Sequence, residues 1–225
     1  MRAAAVLALG AALLLLPRPA GAVDETVLES VPTDQKVVAL SIDLGEGGDR
    51  ESLQAILDYL AQGHIHVTFF VTGWFLRTYP DMLAKLHAAG DDLGNHTDTH
   101  PHCPRISSER LREELGTVEG LLKARGLTIT SPQLWRPPFG EYDARVVHVA
   151  AEAGYRTVTW SATSLDYEPS TNPDSAARTI LRHVHPGGII LCHATAVSRR
   201  AIPQVVSALI EEGYKITTIK DLLTY

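Results

Sequence analysis

The chain has 225 residues, of which 26 are acidic and 20 are basic, and its formal net charge at pH 7 is −6. Proteins that bind nucleic acid carry basic patches, and anionic lipid surfaces attract basic segments, so an acidic chain of this kind fits neither partner. We therefore expect no nucleic acid partner and no binding to a membrane surface.

The first 22 residues have the layout of a secretory signal peptide. Arg2 precedes an apolar run over residues 3–16, and Pro17 and a group of small residues that ends at Ala22 follow it. The apolar run is shorter than the roughly 20 residues that span a bilayer. We expect cleavage after Ala22, no stable membrane insertion afterwards, and export to the periplasm, the cell envelope or the medium. An uncleaved anchor is the alternative.

The remaining chain divides into a lead-in, residues 23–35, and one domain, residues 36–225. Removal of the signal peptide takes away two basic residues and no acid, so that 18 basic residues face 26 acidic ones and the net charge becomes −8. The lead-in is polar, and we expect it to have little structure. The domain is of a size that usually forms a single hydrophobic core.

Short β-rich runs alternate with helical patterns along the domain. The predicted strands are Val37–Asp43, His66–Val71, Asp92–Asn95, Leu134–Arg136, Arg156–Trp160, Gly188–Leu191 and Tyr214–Thr218. The predicted helices lie between them, over residues 49–63, 80–90, 107–126, 142–154, 172–184 and 198–213. This alternation predicts an α/β fold built from βα units around a parallel sheet. About seven parallel strands in a chain of this length fit a small, incomplete (β/α) barrel.

The loop after the first predicted strand reads "DLGEGGD" and places acids where a phosphate group binds in nucleotide-binding folds. The sequence therefore gives little support to a dinucleotide site.

Side chains capable of catalysis or metal binding follow the predicted strands at their carboxyl ends. They are Asp43, His96, His100, Arg136, Asp166 and His193. In α/β barrels the carboxyl ends of the strands share one face, and active sites lie on that face. The sequence therefore predicts that these side chains form one site.

Each of these residues also has a structural interpretation. Asp43 could cap the turn that follows it, because Asp is common in turns. An isolated pair of histidines four residues apart, such as His96 and His100, is a weak metal signal, and Arg136 could form a structural ion pair. Asp143 is predicted to cap a helix rather than to take part in chemistry.

His193 follows the apolar run "GGIILC", which predicts a buried parallel strand that ends at the site. Side chains alternate along a strand, so Cys192 should point away from the site if His193 points into it. A disulfide between Cys103 and Cys192 is open to an exported chain. A buried free thiol is the favoured interpretation of Cys192, because its neighbours are apolar.

Five motifs in order, "SIDLG", "HTDTH", "RPPFG", "SLDY" and "IILCH", resemble those of the polysaccharide deacetylase (NodB-homology) family of carbohydrate esterases. The resemblance extends from about Val37 to Leu223. It implies a distorted (β/α) barrel and a hydrolase that removes acetyl groups from the N-acetylated sugars of a polysaccharide. It also implies one divalent metal, commonly zinc, and a peptidoglycan or chitin-like substrate.

The resemblance assigns a role to each matching position. Asp43 matches the general base, Arg136 the residue that orients it, and His193 the general acid. His96 and His100 match two metal ligands, and the backbone N–H of Phe139 matches a donor to the oxyanion. Asp166 is expected to orient either Arg136 or His193.

Leu44 occupies the position of the family's third metal ligand, and leucine cannot bind a metal. Asp43 or water could complete the site, or Glu46 or Asp49 in the glycine-rich loop could supply a carboxylate, since glycine permits unusual backbone angles. The remaining alternative is weak or lost metal binding. The chain would then bind glycans without catalysis.

The fourth motif departs from the family at Thr163 and retains an aromatic residue at Tyr167. Tyr167 is predicted to form an aromatic wall for a sugar ring, and Trp74 and Trp135 could add to it. An O-acetyl esterase acting on xylan is a further functional alternative.

Overall fold

The computed structural model describes residues 24–225, so the predicted signal peptide, residues 1–22, lies outside the described residues. Eight strands form one sheet, and all of their pairings are parallel. The strands are β1 Val37–Leu44, β2 Thr68–Val71, β3 Asp92–Asn95, β4 Leu134–Trp135, β5 Arg156–Thr157, β6 Ala162–Thr163, β7 Ile189–His193 and β8 Lys215–Thr217. Their order is β5-β4-β3-β2-β1-β7-β6, and β8 pairs with β1. The predicted incomplete (β/α) barrel is confirmed.

The helices connect these strands. They are α1 Arg50–Gln62, α2 Gly73–Thr78, α3 Pro80–Ala89, α4 Ser108–Lys123, α5 Ala144–Glu152, α6 Pro173–His183, α7 Ser198–Glu211 and α8 Ile219–Leu222. Side-chain caps define several of their first turns, and Asp143 accepts a hydrogen bond from the N–H of Val146 at the start of α5, as predicted. Within residues 24–225, no helix has both the length and the apolar character needed to cross a membrane.

The two faces of β1 have different roles. Residues 38, 40, 42 and 44 belong to the main hydrophobic core. Val37 and Ala39 point the other way, into the barrel interior, where they join a second apolar cluster. Ser41 and Asp43 continue that inner face at the carboxyl end of the strand, and both are buried. The alternation along one strand thus turns the barrel interior from apolar to polar.

The amino end of the barrel interior is closed by apolar side chains. Ile219 and Leu222 of α8 pack in the inner cluster with Phe70 and Val158, and all four side chains are buried. This packing fills the lower part of the barrel. Only the carboxyl end, where the inner face is polar, is left for a site.

The lead-in connects the edge strand β5 with the residues that precede β7. The N–H of Leu28 donates to the carbonyl of Thr157, and its carbonyl accepts from Thr159, both at 2.9 Å. Three residues on, the N–H of Val31 donates to the carbonyl of Gly187 at 2.8 Å. The expectation of little structure was therefore wrong for this segment. The buried side chain of Leu28 and these backbone bonds fix it across the gap in the barrel.

Strand β3 has its predicted bounds, and the other predicted strands differ from the prediction by one to three residues at an end. Strand β6 was not predicted, because its two residues are too short for an alternating pattern to show. Strand β5 ends at Thr157, since the chain then turns to bond with the lead-in. Strand β7 continues to His193, two residues beyond its predicted end, because both residues pair with β1.

We expect Gly187→Ala to destabilise the protein through the lead-in. Gly187 has a φ of +76°, and a Cβ on it would lie 1.8 Å from the carbonyl oxygen of Val31. Gly213 is a matched control, because it has a φ of +83° and open space around the added Cβ. Urea unfolding should show a loss of about 3 kcal/mol for Gly187→Ala against about 1 kcal/mol for Gly213→Ala. Equal losses would show that the lead-in does not hold the barrel closed.

Candidate active site

The polar end of the barrel opens into a cleft with a volume of about 590 Å³. Its lining combines residues from the ends of β1, β3, β4, β6 and β7. Of the predicted site residues, it includes Asp43, Glu46, His96, His100, Phe139, Asp166, Tyr167 and His193. Arg136 lies beneath this surface. The structure therefore brings together all the residues that the sequence placed in one site.

Arg136 is fully buried and binds Asp43 directly. Its Nη1 donates to Asp43 Oδ1 at 2.7 Å. Its Nη2 donates to Ser41 Oγ at 2.8 Å and to the carbonyl oxygen of Thr159 at 3.1 Å. The guanidinium carbon lies 4.2 Å from the ring centre of Phe70, which covers one face of the group. These contacts fix both the guanidinium and the carboxylate that it holds.

The charge of Asp43 is stabilised by its neighbours. Burial by itself raises the pKa of a carboxyl group, but Arg136, His96 and His193 lower the pKa of Asp43 below its ordinary value. Asp43 is therefore an ionised acceptor at neutral pH. One of its oxygens is occupied by Arg136, and Oδ2 is turned towards His96.

His96 presents a free ring nitrogen to the cleft. Its Nδ1 lies 2.8 Å from the backbone carbonyl oxygen of Arg136, and a carbonyl can only accept, so Nδ1 carries the proton. Burial lowers the pKa of His96, which favours the neutral ring. Nε2 then has a lone pair, and it lies 3.5 Å from Oδ2 of Asp43. Two acceptors at this distance form a favourable arrangement for a cation.

His100 lies beside His96, with 4.9 Å between the ring centres. Burial and then His96 lower the pKa of His100 to about 4, so this ring is also neutral and able to bind a metal.

The loop that carries both histidines is clamped from helix α4. Thr97 and His100 have left-handed backbone angles, with φ of 66° and 56°, which non-glycine residues rarely adopt. The buried carboxylate of Glu114 accepts from both the N–H and the hydroxyl of Thr99, each at 2.7 Å. Thr97 Oγ1 accepts from the N–H of His100 at 3.2 Å. These bonds hold the strained loop and orient its histidines.

A third protein ligand is not in place. Within residues 24–225, no three His, Cys, Asp or Glu side chains form a group with the geometry of a metal site. Leu44 points into the main core, on the opposite face of β1 from Asp43. The suggestion of Asp49 was wrong, because its two carboxylate oxygens cap α1 and accept from the N–H and the hydroxyl of Ser52, each at 2.7 Å.

Glu46 is the remaining carboxylate from the glycine-rich loop. It is exposed and lines the cleft. The donors of the site therefore fit a cation held by two neutral imidazoles beside one ionised carboxylate. Such a donor set has the histidine and carboxylate character that zinc accepts in open catalytic sites.

His193 is positioned by Asp166. Asp166 Oδ1 lies 2.7 Å from His193 Nδ1, and Oδ2 accepts from the backbone N–H of His193 at 2.8 Å. The hydroxyls of Thr195 and Ser198 also donate to Oδ2. Of the two partners expected for Asp166, the structure shows His193 and not Arg136.

The ion pair of Asp166 and His193 shifts the pKa of both groups. Burial by itself raises the pKa of Asp166, but the hydrogen bond and charge of His193 lower it to about 2. Burial lowers the pKa of His193, and Asp166 more than offsets this, so the net shift is upward. His193 therefore holds a proton on the ring more readily than a free histidine does.

Phe139 lies in a strained turn at the rim of the cleft. Its φ of 60° is left-handed, and the turn is closed by N–H groups of Gly140 and Glu141, which donate to the carbonyls of Pro137 and Pro138. The ring is 55% exposed. Phe139 and Gly140 are both part of the cleft lining.

Two of the predicted aromatic contacts were wrong. Trp135 is fully buried, and its Nε1 donates to Thr157 Oγ1 at 2.8 Å. Trp74 packs against the core and Tyr79 instead of lining the cleft. Tyr167 does line the cleft and is 55% exposed, and Trp160 belongs to the same lining.

The two cysteines are buried and free, and burial raises the pKa of both thiols. The interpretation of Cys192 as a buried thiol is confirmed. A nucleophilic role does not fit either residue, because the reactive form is the thiolate.

Several residues of the site, among them Ser41, Glu114 and Trp160, were not identified from the sequence. Ser41 could have been found, because it lies two residues before Asp43 and shares its face of β1. Glu114 and Trp160 carry no local signal. Glu114 lies in the middle of the amphipathic helix α4, and Trp160 follows β5, which ends earlier than predicted.

Comparison with known proteins identifies a family and several relatives. The chain matches the polysaccharide deacetylase family over residues 30–158. The peptidoglycan-N-acetylglucosamine deacetylase of Bacillus cereus is 30% identical over 87% of this chain and 92% of its own length. The peptidoglycan-N-acetylmuramic acid deacetylase PdaA of Bacillus subtilis is 28% identical over 85% of this chain and 73% of its own.

Among solved structures, a CE4 family pseudoenzyme from Bacillus anthracis superposes with a TM-score of 0.82 at 27% identity, covering 89% of this chain and 70% of that one. A mutant of that pseudoenzyme with restored enzymatic activity has the same TM-score at 28% identity. The fold is thus shared by proteins with and without activity.

We expect Asp166→Asn to reveal the coupling between Asp166 and His193. Because the pKa of Asp166 falls from 3.8 to about 2 on folding, its stabilisation is present above pH 4 and is lost as the pH falls towards 2. Urea unfolding should show a deficit of about 2 kcal/mol for the variant at pH 6, and the deficit should narrow below pH 4. NMR titration should also show a lower pKa for His193.

The matched control is Asp174→Asn, an exposed residue on α6. It should show neither effect. A deficit for Asp166→Asn that stays constant down to pH 2 would contradict the assigned ion pair.

Proposed function

The chain belongs to the polysaccharide deacetylase family, a family of hydrolases, and we propose that it hydrolyses the acetyl group from N-acetylated sugars of a glycan. We propose further that a divalent cation, zinc, is held by His96 and His100 beside Asp43. The substrate is peptidoglycan or a chitin-like glycan, and the chain is exported to the cell envelope or beyond. The signal-like residues 1–22 and the glycan substrates in the names of its relatives support this location.

One observation carries the proposal. Asp43 and His193 occupy paired positions on the neighbouring strands β1 and β7. Each is held by its own buried partner of opposite charge, Arg136 for Asp43 and Asp166 for His193. Arg136 thus favours the ionised form of Asp43, which accepts a proton, and Asp166 favours the protonated form of His193, which donates one. Such a division assigns the base and the acid of a hydrolysis.

The reaction adds water across the acetamide bond. Asp43 takes a proton from the attacking water, and the water oxygen forms a bond to the acetyl carbon. Arg136 keeps Asp43 ionised and correctly oriented for this step. His193 then donates its proton to the nitrogen as the carbon–nitrogen bond breaks. The products are acetate and a free amino sugar.

Charge develops on the acetyl oxygen during this reaction. A divalent cation, when bound, withdraws electron density from the acetyl group and stabilises negative charge. The backbone N–H of Phe139 is the proposed protein donor to the same oxygen. A fixed donor is effective here because it needs no reorganisation as the charge forms.

A second candidate is a glycan-binding protein without catalysis. Its support is the apolar Leu44 at the third ligand position, together with the similarity to a pseudoenzyme. The ion pairs that hold Asp43 and His193 favour the enzyme. Binding alone does not require a proton acceptor and a proton donor at adjacent positions.

Acetate release from N-acetylglucosamine oligomers tests the proposal. The mature protein with zinc should release acetate, and a chelator should stop it. His193→Ala should lower kcat by about 10²–10³-fold, because general acid catalysis contributes a factor of this size. The matched control is His183→Ala, at the exposed end of α6, which should retain wild-type activity.

Binding of the oligomers without any acetate release would support the second candidate. Release from O-acetylated xylan, with none from the N-acetylated oligomers, would identify an O-acetyl esterase instead.

A further inference from the structure

We propose that Glu46 selects the sugar, so that the cleft deacetylates neutral N-acetylglucosamine units and excludes sugars that carry a carboxylate, such as N-acetylmuramic acid. This inference rests on the proposed deacetylation and goes beyond it, since the known relatives include deacetylases of both sugars.

The charges that line the cleft are unequally balanced. Asp43 is paired with Arg136, and Asp166 is paired with His193. Glu46 forms no hydrogen bond or ion pair with any of the residues 24–225. The cleft lining within this part of the chain includes no lysine or arginine. Within residues 24–225, Glu46 is therefore the one charged side chain of the cleft lining that has no partner of opposite charge.

The loop that carries Glu46 spans the two proposed proton-transfer groups. It leaves β1 directly after Asp43 and Leu44, where the carbonyl of Leu44 accepts from the N–H of Thr72 at 3.0 Å. It ends where the N–H of Asp49 donates to the carbonyl of Ala194 at 2.9 Å, one residue after His193. Both ends of the loop are anchored, and Glu46 lines the same cleft as Asp43 and His193.

The loop also packs closely at its second anchor. A Cβ on Gly48 would lie 3.1 Å from the carbonyl oxygen of Ala194. A glycine at this position therefore lets the loop lie against the strand that carries His193. The side chain of Glu46 is left exposed at the mouth of the cleft.

The two sugars differ next to the reacting group. Both carry an acetamido group on C2, and muramic acid adds a lactyl ether with a carboxylate on O3, the adjacent position. With the acetamido group at Asp43 and His193, that carboxylate lies in the same cleft as Glu46. Two negative charges in one cleft repel, and because Glu46 is exposed and screened by solvent we expect this repulsion to lower the rate or affinity by roughly tenfold.

Arg199 does not remove the repulsion between Glu46 and the carboxylate of the sugar. Arg199, at the start of α7, forms an ion pair with Glu51. Its charge is thus already shared with another carboxylate, and it is absent from the cleft lining.

The experiment uses peptide-free glycan strands of peptidoglycan, which contain both sugars in alternation. Mass spectrometry of the digested strands measures how much of each sugar has lost its acetyl group. The wild type should deacetylate mainly the glucosamine units. Glu46→Lys should raise the ratio of muramic to glucosamine deacetylation about tenfold, Glu46→Gln should raise it less, and Glu46→Asp should leave it low.

Glu211→Lys is the matched control, because it makes the same change of charge at the far end of α7. Helix α7 rises about 20 Å between Ser198 near the cleft and Glu211. This variant should leave the ratio unchanged. A shift as large as that of Glu46→Lys would assign the effect to the net charge of the protein and overturn the inference.

Two further outcomes would overturn the inference. A wild type that prefers muramic units, or a ratio that does not respond to Glu46→Lys, would show that Glu46 does not select the sugar. A parallel loss of bound zinc and of deacetylation at both sugars in Glu46→Gln would assign Glu46 to the metal instead.

Complete absence of acetate release from the wild type would count against the proposed function, and selection is then tested by binding. Calorimetry with N-acetylglucosamine oligomers and with muramic-containing strands should show the same order of preference and the same response to Glu46→Lys. Equal affinities would overturn the inference independently of catalysis.

Discussion

The site depends on one buried guanidinium. Arg136 has no access to solvent, and a buried charge is tolerated only when it is paired and hydrogen-bonded. Asp43 supplies the opposite charge, and Ser41 and Thr159 accept the remaining bonds of Nη2. The backbone carbonyl of the same arginine fixes the tautomer of His96. A single residue therefore sets the state of both the proposed base and one proposed metal ligand.

The barrel encloses the ion pair of Arg136 and Asp43 and shields it from solvent. Its lower interior is filled by apolar side chains, and the lead-in connects β5 with the residues that precede β7. The upper interior is polar because Ser41 and Asp43 continue the inner face of β1. Burial strengthens the ion pairs of the site, since low solvent access reduces screening. Removal of one partner of such an ion pair is correspondingly destabilising.

The fold and most of the site could be predicted because they depend on local patterns and on the shared direction of parallel strands. Asp43, His96 and His193 each follow a readable strand, and strand ends converge in space. The lead-in could not be predicted, because its order comes from backbone bonds to residues more than a hundred positions away. Asp49 was misjudged because a helix cap and a metal ligand use the same carboxylate, and only the structure shows which partner it has.

The proposed function depends most on Leu44, since this residue leaves the two imidazoles of His96 and His100, beside Asp43, as the proposed protein donors for a metal. Calorimetric titration of zinc into the metal-stripped mature protein tests this directly. The account predicts binding of one zinc ion per chain, lost in His96→Ala and in His100→Ala and retained in His183→Ala. Absence of binding, or binding that survives both substitutions, would contradict the proposed metal site and favour a glycan-binding protein without catalysis.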